Sequence, residues 1–307
     1  MQKVSIVIPA YRSKDSLPIL VERIENVLTT DEIDYEVIII DDFSPDDTWE
    51  VLIKLKKIYE RLIIIRLLRN SGQHNAILCG FSIAKGDIIV TMDDDLQNPP
   101  EEIPKLIAAI NQGYDLAIGA YDSKKHSIRR NVGGNFVDAI QRNIFKLPKN
   151  FQLTSFRAIR KVVVENVNSM SAVYPYITSM LLSHTSSYTN VPVHHDLRIF
   201  GKSNYDFNKS ISLAFNLLLN YSNYPLYLVL FFCLAALGFS VLLGAIVIWK
   251  ALFIGISISG WASTIVVITF FNALILFALV IHSLFLSRLN QQLTRSRVSF
   301  TIGEIHE

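Results

Sequence analysis

The run Gly86-Asp87-Ile88-Ile89-Val90-Thr91-Met92-Asp93-Asp94-Asp95-Leu96-Gln97-Asn98-Pro99-Pro100 carries the densest chemistry in the chain. Ile88 to Met92 reads as a short buried strand, closed by polar residues and a proline pair. Alternate residues of a strand share a face, so Asp93 and Asp95 are expected to aim two carboxylates at one point while Asp94 points away. Two carboxylates completed by phosphate oxygens suit a hard divalent cation such as Mg2+. Three adjacent acids at a buried strand end would repel one another unless a cation or a positive ligand sat among them. An isolated Asp-x-Asp also reads as a solvated acidic turn, or as an N-cap for the helix starting near Pro100. The surrounding elements must decide between these readings.

Those elements alternate. Val4 to Ile8, Tyr35 to Ile40 and Ile63 to Leu67 are further buried apolar runs, and Asp115 to Gly119 reads as one more strand. Between them, apolar residues recur at helical spacing: Leu17, Leu20, Val21, Ile24 and Leu28; Val51, Leu52, Leu55 and Ile58; Ile77, Gly80, Phe81 and Ala84; Ile103, Leu106, Ile107 and Ile110. Strands alternating with helices predict an α/β domain with a mostly parallel sheet covered on both faces. Ligands of such sheets bind at the carboxyl ends of the strands. Pro9-Ala10-Tyr11, Asp41-Asp42 and Asp93-Asp94-Asp95 all stand at such ends, so three polar motifs are expected along one edge. Further on, Tyr121 to Arg130 is a basic loop, either solvated or a cover that recruits phosphate. Val132 to Leu147 reads as helical, and Val191 to Arg198 as extended. His194 and His195 are adjacent and would face opposite ways on a strand, which favours hydrogen-bonded structural histidines over a metal pair.

Composition adds bounds. Half of the 307 residues are hydrophobic, high for a soluble enzyme, and the excess lies after about residue 210. A net charge of +2 gives no nucleic-acid footprint. Two cysteines, Cys79 and Cys233, make no disulfide framework. Leu226 to Ile248 has no charge and is long enough to span a bilayer, with Tyr224 and Tyr227 at its beginning and Trp249-Lys250 at its end. A second apolar run covers Ala262 to Ser287, with Asn272 and His282 as its strongly polar members. Lys202 and Lys209 precede the pair, and Arg288, Arg295 and Arg297 follow it, which places both flanks in the cytoplasm. Ser210 to Tyr221 is apolar and aromatic but too short to span, and reads as an in-plane helix. The expected organisation is a cytoplasmic domain over 1–205, an interfacial helix over 206–223, a two-helix membrane hairpin over 224–288 and a cytoplasmic tail over 289–307.

With these motifs in place, Ser5-Ile6-Val7-Ile8-Pro9-Ala10-Tyr11, Asp41-Asp42-x-Ser-x-Asp-x-Thr and Met92-Asp93-x-Asp95-Leu96-Gln97-x-Pro99-Pro100 resemble the family-2 inverting glycosyltransferases. Arg69-Asn70-x-Gly72-Gln73-His74-Asn75-Ala76 and the pairing of Arg198 with Gly201-Lys202-Ser203-x-Tyr205 resemble the polyprenyl-phosphate branch of that family. The resemblance implies a Rossmann-like GT-A domain, an in-plane amphipathic helix and two transmembrane helices. It implies that Pro9, Ala10, Tyr11, Asp41, Asp42, Asp93 and Asp94 cradle a nucleotide sugar, and that Asp93, Asp95 and Gln97 surround Mg2+ or Mn2+ and the donor diphosphate. Arg129, Arg130, Arg198, Lys202 and Ser203 would hold phosphate, and Asp93 and Asp95 with these basic residues form the implied catalytic set. The implied reaction moves one sugar to polyprenyl phosphate at the inner membrane, among membrane lipids; a homo-oligomer is compatible with it. Thr154-Ser155 stand where the family often has an acid before its Phe-Arg pair, Arg12-Ser13 replace a frequent Asn-Glu, and Phe43 replaces a frequent Gly. A processive polysaccharide synthase would carry a Gln-x-x-Arg-Trp motif, and Gln291 and Gln292 lead to no such Trp. A scaffold on a degenerate transferase domain would not need an intact Asp93-x-Asp95.

Overall fold

The computed structural model describes residues 2–121, 141–170, 175–196, 224–253, 260–294 and 300–307. The chain divides into two units, one of Met1–Leu213 with Arg295–Glu307 and the other of Ala214–Thr294.

In the first unit the apolar runs become β1 (Lys3–Ala10), β2 (Asp34–Asp41), β3 (Leu62–Leu67), β4 (Ile88–Thr91) and β5 (Leu116–Tyr121). The amphipathic stretches become α1 (Leu17–Thr30), α2 (Thr48–Lys56), α3 (Gln73–Ile83) and α4 (Ile103–Asn111). Pro18 lies in the first turn of α1, where a missing N–H costs nothing. Then follow β6 (Arg157–Arg160), α5 (Lys161–Ser169), α6 (Ile177–His184) and β7 (Tyr188–Val193), with β8 (Ile302–His306) near the end of the chain.

All eight strands join one sheet in the order β7-β5-β6-β4-β1-β2-β3-β8. β1 pairs in parallel with β2 and β4, β2 with β3, and β5 with β7, whereas β6 and β8 run antiparallel to their neighbours. This is a Rossmann-like, mostly parallel sheet. Val4, Ile6, Ile8 and Ala10 bury one face of β1 with Leu17, Leu20 and Ile24 of α1, Leu52 of α2, and Leu106 and Ile110 of α4. On the other face α3 lies close: a Cβ on Gly80 would stand 2.3 Å from Cγ1 of Val7 and 2.9 Å from Cδ1 of Ile40. Glycine at that helical position is therefore a condition of the layer spacing.

The order of strands places the carboxyl ends of β4, β1 and β2 side by side. Ala10 stands opposite Asp41, and the Asp42 amide donates to the Ala10 carbonyl at 2.9 Å. Val7 stands opposite Thr91, and the Met92 amide donates to the Val7 carbonyl at 3.3 Å. β8 was not expected, because Ile302-Gly303-Glu304-Ile305-His306 has little apolar weight of its own. Its partner is remote: Arg66 stands opposite Glu304, and the Leu68 amide donates to the Thr301 carbonyl at 2.9 Å.

The second unit holds α7 (Tyr224–Phe253) and α8 (Trp261–Thr294), of 30 and 34 residues. The rings of Phe239 and Phe271 lie 6.3 Å apart between them. Many positions within both helices fall outside the described set, and among the described residues no helix is long and apolar enough to cross a membrane. The interfacial helix expected over 206–223, the basic loop from Lys124 to Arg130 and most of the helix expected over Val132 to Leu147 lie outside the described residues.

Candidate active site

β4 stops at Thr91, so Asp93 and Asp95 do not alternate on a strand as expected. Thr91 turns its hydroxyl to the Ser155 carbonyl at 2.7 Å, Leu96 takes a left-handed φ of 61°, and Pro99-Pro100 cannot continue a ladder. On this bend the three carboxylates fan out. Asp93 accepts from Gln73 Nε2 at 2.7 Å and from the Ser155 hydroxyl. Asp94 turns to the loop after β1, where it accepts from the Tyr11 amide at 3.2 Å and from the Ser13 hydroxyl. Asp95 accepts from the Gln97 amide at 3.1 Å. Burial, with the charges of Asp93 and Asp95 added, pushes the Asp94 carboxyl up to about 6 against the hydrogen bonds from Ser13 and Tyr11.

Pro9 and Ala10 end β1, and Tyr11 begins the loop beyond it. Asp41 is fully buried at the end of β2. Its Oδ1 accepts from the Ser44 amide at 3.0 Å, and its Oδ2 lies 3.4 Å from Arg66 Nε. Burial raises its pKa, opposed by Ser44 and the Arg66 charge. Asp42 commits both oxygens to the loop before α3, accepting from the amides of Ser71 at 2.7 Å and Gly72 at 2.8 Å. The geometry thus gives Asp42 a loop-shaping contact.

The loops leaving β1, β2 and β4 each hold one non-glycine residue at positive φ: Arg12 at 59°, Phe43 at 57° and Leu96 at 61°. Such conformations cost about 1–3 kcal/mol each for bulky residues and cluster at functional sites. Two of these positions are departures noted above, where the more frequent Asn and Gly are the residues that adopt this region most easily.

The third departure has a geometric counterpart. Where the family often has an acid, Ser155 donates to Asp93. Arg157 follows, buried, donating through Nε to the Ser155 carbonyl at 3.3 Å and through Nη1 to Thr178 at 3.1 Å. Gln73 stood in a quoted motif and Ser155 at a noted departure, but their approach to Asp93 depends on α3 and the segment before β6 reaching the end of β4. Gln97 meets His195, with Nε2 atoms 3.3 Å apart, and the His195 ring stacks on Tyr121 at 4.0 Å. His194 pairs instead with Asp196 at 3.2 Å, so the two histidines face different partners. Arg129, Arg130, Arg198, Lys202 and Ser203 lie outside the described residues.

Among the described residues no group of three or more His, Cys, Asp or Glu side chains is set to hold a metal ion. Asp93 and Asp95 nevertheless supply hard oxygen donors of the kind that hold a divalent cation through one or two carboxylates plus substrate phosphates.

A Rossmann-like sheet with an acid-rich site at its carboxyl edge belongs to the class of α/β proteins that bind their ligands at that edge. Residues 5–168 match the model of glycosyl transferase family 2, and the chain belongs to that family. It is 35% identical over 247 residues to an undecaprenyl-phosphate 4-deoxy-4-formamido-L-arabinose transferase of Klebsiella pneumoniae, covering 78% of this chain and 74% of that protein. It is 37% identical over 231 residues to the protein of the same description from Yersinia enterocolitica, covering 74% and 69%. The fold is similar to that of glucosyl-3-phosphoglycerate synthase from Mycobacterium tuberculosis, solved with Mn2+, UDP and phosphoglyceric acid, with a TM-score of 0.53, 17% identity and coverage of 71% and 78%. Mannosyl-3-phosphoglycerate synthase from Rubrobacter xylanophilus gives a TM-score of 0.56 at 13% identity, covering 71% and 72%.

Proposed function

We propose that this enzyme transfers one sugar, with inversion, from a nucleotide-sugar donor to undecaprenyl phosphate at the cytoplasmic face of the membrane. One observation carries the reading: the loops of β1, β2 and β4 converge on one edge in a chain more than a third identical to named undecaprenyl-phosphate sugar transferases.

Pro9, Ala10, Tyr11, Asp41 and Asp94 line the nucleotide side, with Asp42 acting through the Ser71-Gly72 turn. Asp93, Asp95 and Gln97 would hold Mg2+ or Mn2+; when bound there, such a cation supplies Lewis-acid stabilisation to the leaving diphosphate. Gln73 and Ser155 orient Asp93 from two sides. A phosphate oxygen of the acceptor forms the new bond at the anomeric carbon as the bond to the diphosphate breaks, and the nucleoside diphosphate leaves with that electron pair. A phosphomonoester has a second pKa of about 6, so near neutral pH this nucleophile needs no strong base. That accords with Ser155 standing where an acid is frequent. Arg129, Arg130, Arg198 and Lys202, with Ser203, are proposed to hold the phosphates, because planar guanidinium forks give paired hydrogen bonds.

The apolar helices support membrane attachment. Leu230, Phe231, Leu234, Leu242 and Trp249 of α7, and Ile268, Ile275, Leu279 and Leu286 of α8, are all exposed. Such surfaces on a folded chain belong against lipid or a partner. Chain connectivity agrees: the chain leaves the first unit after Leu213 and returns to it at Arg295, as two crossings with both flanks on one side require. We assign α7 and α8 as the two spans and 206–223 as the interfacial helix.

The test uses the purified full chain in detergent with Mg2+ or Mn2+, undecaprenyl phosphate and radiolabelled nucleotide sugars, including one carrying 4-deoxy-4-formamido-L-arabinose. Label should enter the lipid phase from one donor and be lost in Asp95→Asn. Nucleotide binding without transfer to any polyprenyl phosphate would exclude this acceptor.

A further inference from the structure

We propose that His195 is the positioning residue of Gln97: it holds the Gln97 carboxamide by its nitrogen, leaves the oxygen for a cation beside Asp93 and Asp95, and so ties the segment after β7 to the donor end of the site. The assignment rests on the donor-cation reading above and gives a role to a histidine that the sequence alone reads as structural.

The ladder between β5 and β7 ends where Tyr121 stands opposite Val193. The chain then turns across the loop after β4, and two contacts hold it there. The Asp196 amide donates to the Gln97 carbonyl at 2.9 Å, and Gln97 Nε2 lies 3.3 Å from His195 Nε2. An amide nitrogen only donates, so His195 Nε2 is the acceptor and the ring takes its neutral Nδ1–H form. His194 is turned to Asp196 instead, with its side chain 62% exposed. The contacts of His195 close a circuit. Its ring stacks on Tyr121, whose hydroxyl donates to Asn98 Oδ1 at 2.7 Å. Tyr121 is itself fixed, since its amide donates to Gln152 Oε1 at 3.0 Å and Gln152 Nε2 returns to its carbonyl at 2.9 Å. Asn98 is buried and follows Gln97, so two neighbouring residues of the loop are gripped from one side.

An apolar side chain would cover the Tyr121 ring as well as an imidazole does. What the imidazole adds is an acceptor set on the side-chain nitrogen of Gln97, which leaves the carboxamide oxygen, the atom that a hard cation takes. The Gln97 amide already donates to Asp95 at 3.1 Å, so Gln97 stands between a carboxylate and the histidine. Groups that orient a metal ligand without touching the metal change metal affinity by about 10–100-fold. Arg198 and Lys202, proposed above to hold phosphate, follow His195 by three and seven residues in the chain. The segment that steadies the cation side is therefore the one that leads to the acceptor residues.

Titration of the full chain in detergent with Mn2+, followed by electron paramagnetic resonance with UDP or GDP present, tests this beside melting temperatures and transfer rates. His195→Phe keeps a ring on Tyr121 and loses the acceptor. It should weaken Mn2+ by about tenfold and melt close to the wild type, and raising Mn2+ should restore most of its transfer rate. His195→Gln, which brings back an acceptor, should recover most of the affinity. Gln97→Ala should lose at least as much as His195→Phe, and the double variant no more than Gln97→Ala alone, because the histidine acts through the carboxamide. Wild-type Mn2+ affinity in His195→Phe would overturn the assignment alone. So would additive losses in the double variant, or a lower melting temperature with no recovery at high Mn2+, which would mean a purely structural role. Nitrogen hyperfine coupling to Mn2+ that vanishes in His195→Phe would also overturn it, by making the histidine itself a ligand. A wild type that binds no Mn2+ with either nucleotide would overturn the cation reading and this assignment together.

Discussion

The Ser13 hydroxyl donates to the carboxylate of Asp94, fastening the loop after β1 to the loop after β4. Asp94 also accepts from the Tyr11 amide, so one side chain sets both the course of the loop after β1 and the spread of its neighbours Asp93 and Asp95.

This contact has a pH signature. Burial lifts the Asp94 carboxyl from its ordinary 3.8 to about 6. A carboxyl raised in the folded state destabilises the fold when ionised. Stability is therefore highest below the unfolded value, falls as pH rises through about 4 to 6, and is level above. Asp94→Asn should raise the melting temperature by a few degrees at pH 7.5 with chelator present, on the order of 2 kcal/mol. The gain should vanish near pH 4. A gain independent of pH would mean that burial of charge is not its source.

His74 gives the opposite slope. Its ring lies edge-on to Tyr176 at 4.8 Å, and burial together with the Arg157 charge lowers its pKa to about 4. A base lowered in the folded state contributes stability that is whole above the ordinary 6.5 and is lost as pH falls toward 4. In a proton NMR titration the His74 ring should stay neutral through pH 5, and His74→Gln should soften the loss of stability on the acid side. A midpoint near the ordinary value would show that the ring is solvated.

Asp42 should matter through the backbone. Asp42→Ala leaves the amides of Ser71 and Gly72 without their acceptors and should cost about 3 kcal/mol in denaturant unfolding, with Asp42→Asn between it and the wild type. Gly72 sits at a φ of 88° with nothing near an added Cβ, so Gly72→Ala isolates backbone strain, about 1 kcal/mol. Equal stability of Asp42→Ala and the wild type would show that the turn holds itself.

The end of the chain is predicted to be structural. Deleting residues 300–307 bares the β3 edge and removes His306 from Trp49, whose rings lie 5.8 Å apart. The truncated protein should melt lower, shift its Trp49 emission and aggregate through the exposed edge. Glu307→Ala, which breaks only the exposed pair with Lys85 at 3.4 Å, should stay within about 0.5 kcal/mol of the wild type. Unchanged melting on deletion would show that β8 adds nothing to the fold.

What was legible in the sequence was local and periodic. Ser5-Ile6-Val7-Ile8 must be a doubly buried strand because each side chain needs cover, and Leu17, Leu20 and Ile24 must face one way on a helix. From that alternation the parallel sheet and its acid-rich edge follow. The amino-acid order alone could not place Ser155 against Asp93, 62 residues away, or bring Ile302–His306 onto β3, because neither contact leaves a periodic trace in its own segment. Nor could it show that β4 stops at Thr91, which sends three neighbouring aspartates to three sets of partners instead of two faces. Burial patterns are written residue by residue, whereas the partner of a polar group is chosen by whatever distant segment the packed layers bring within about 3 Å, and that choice belongs to the tertiary structure.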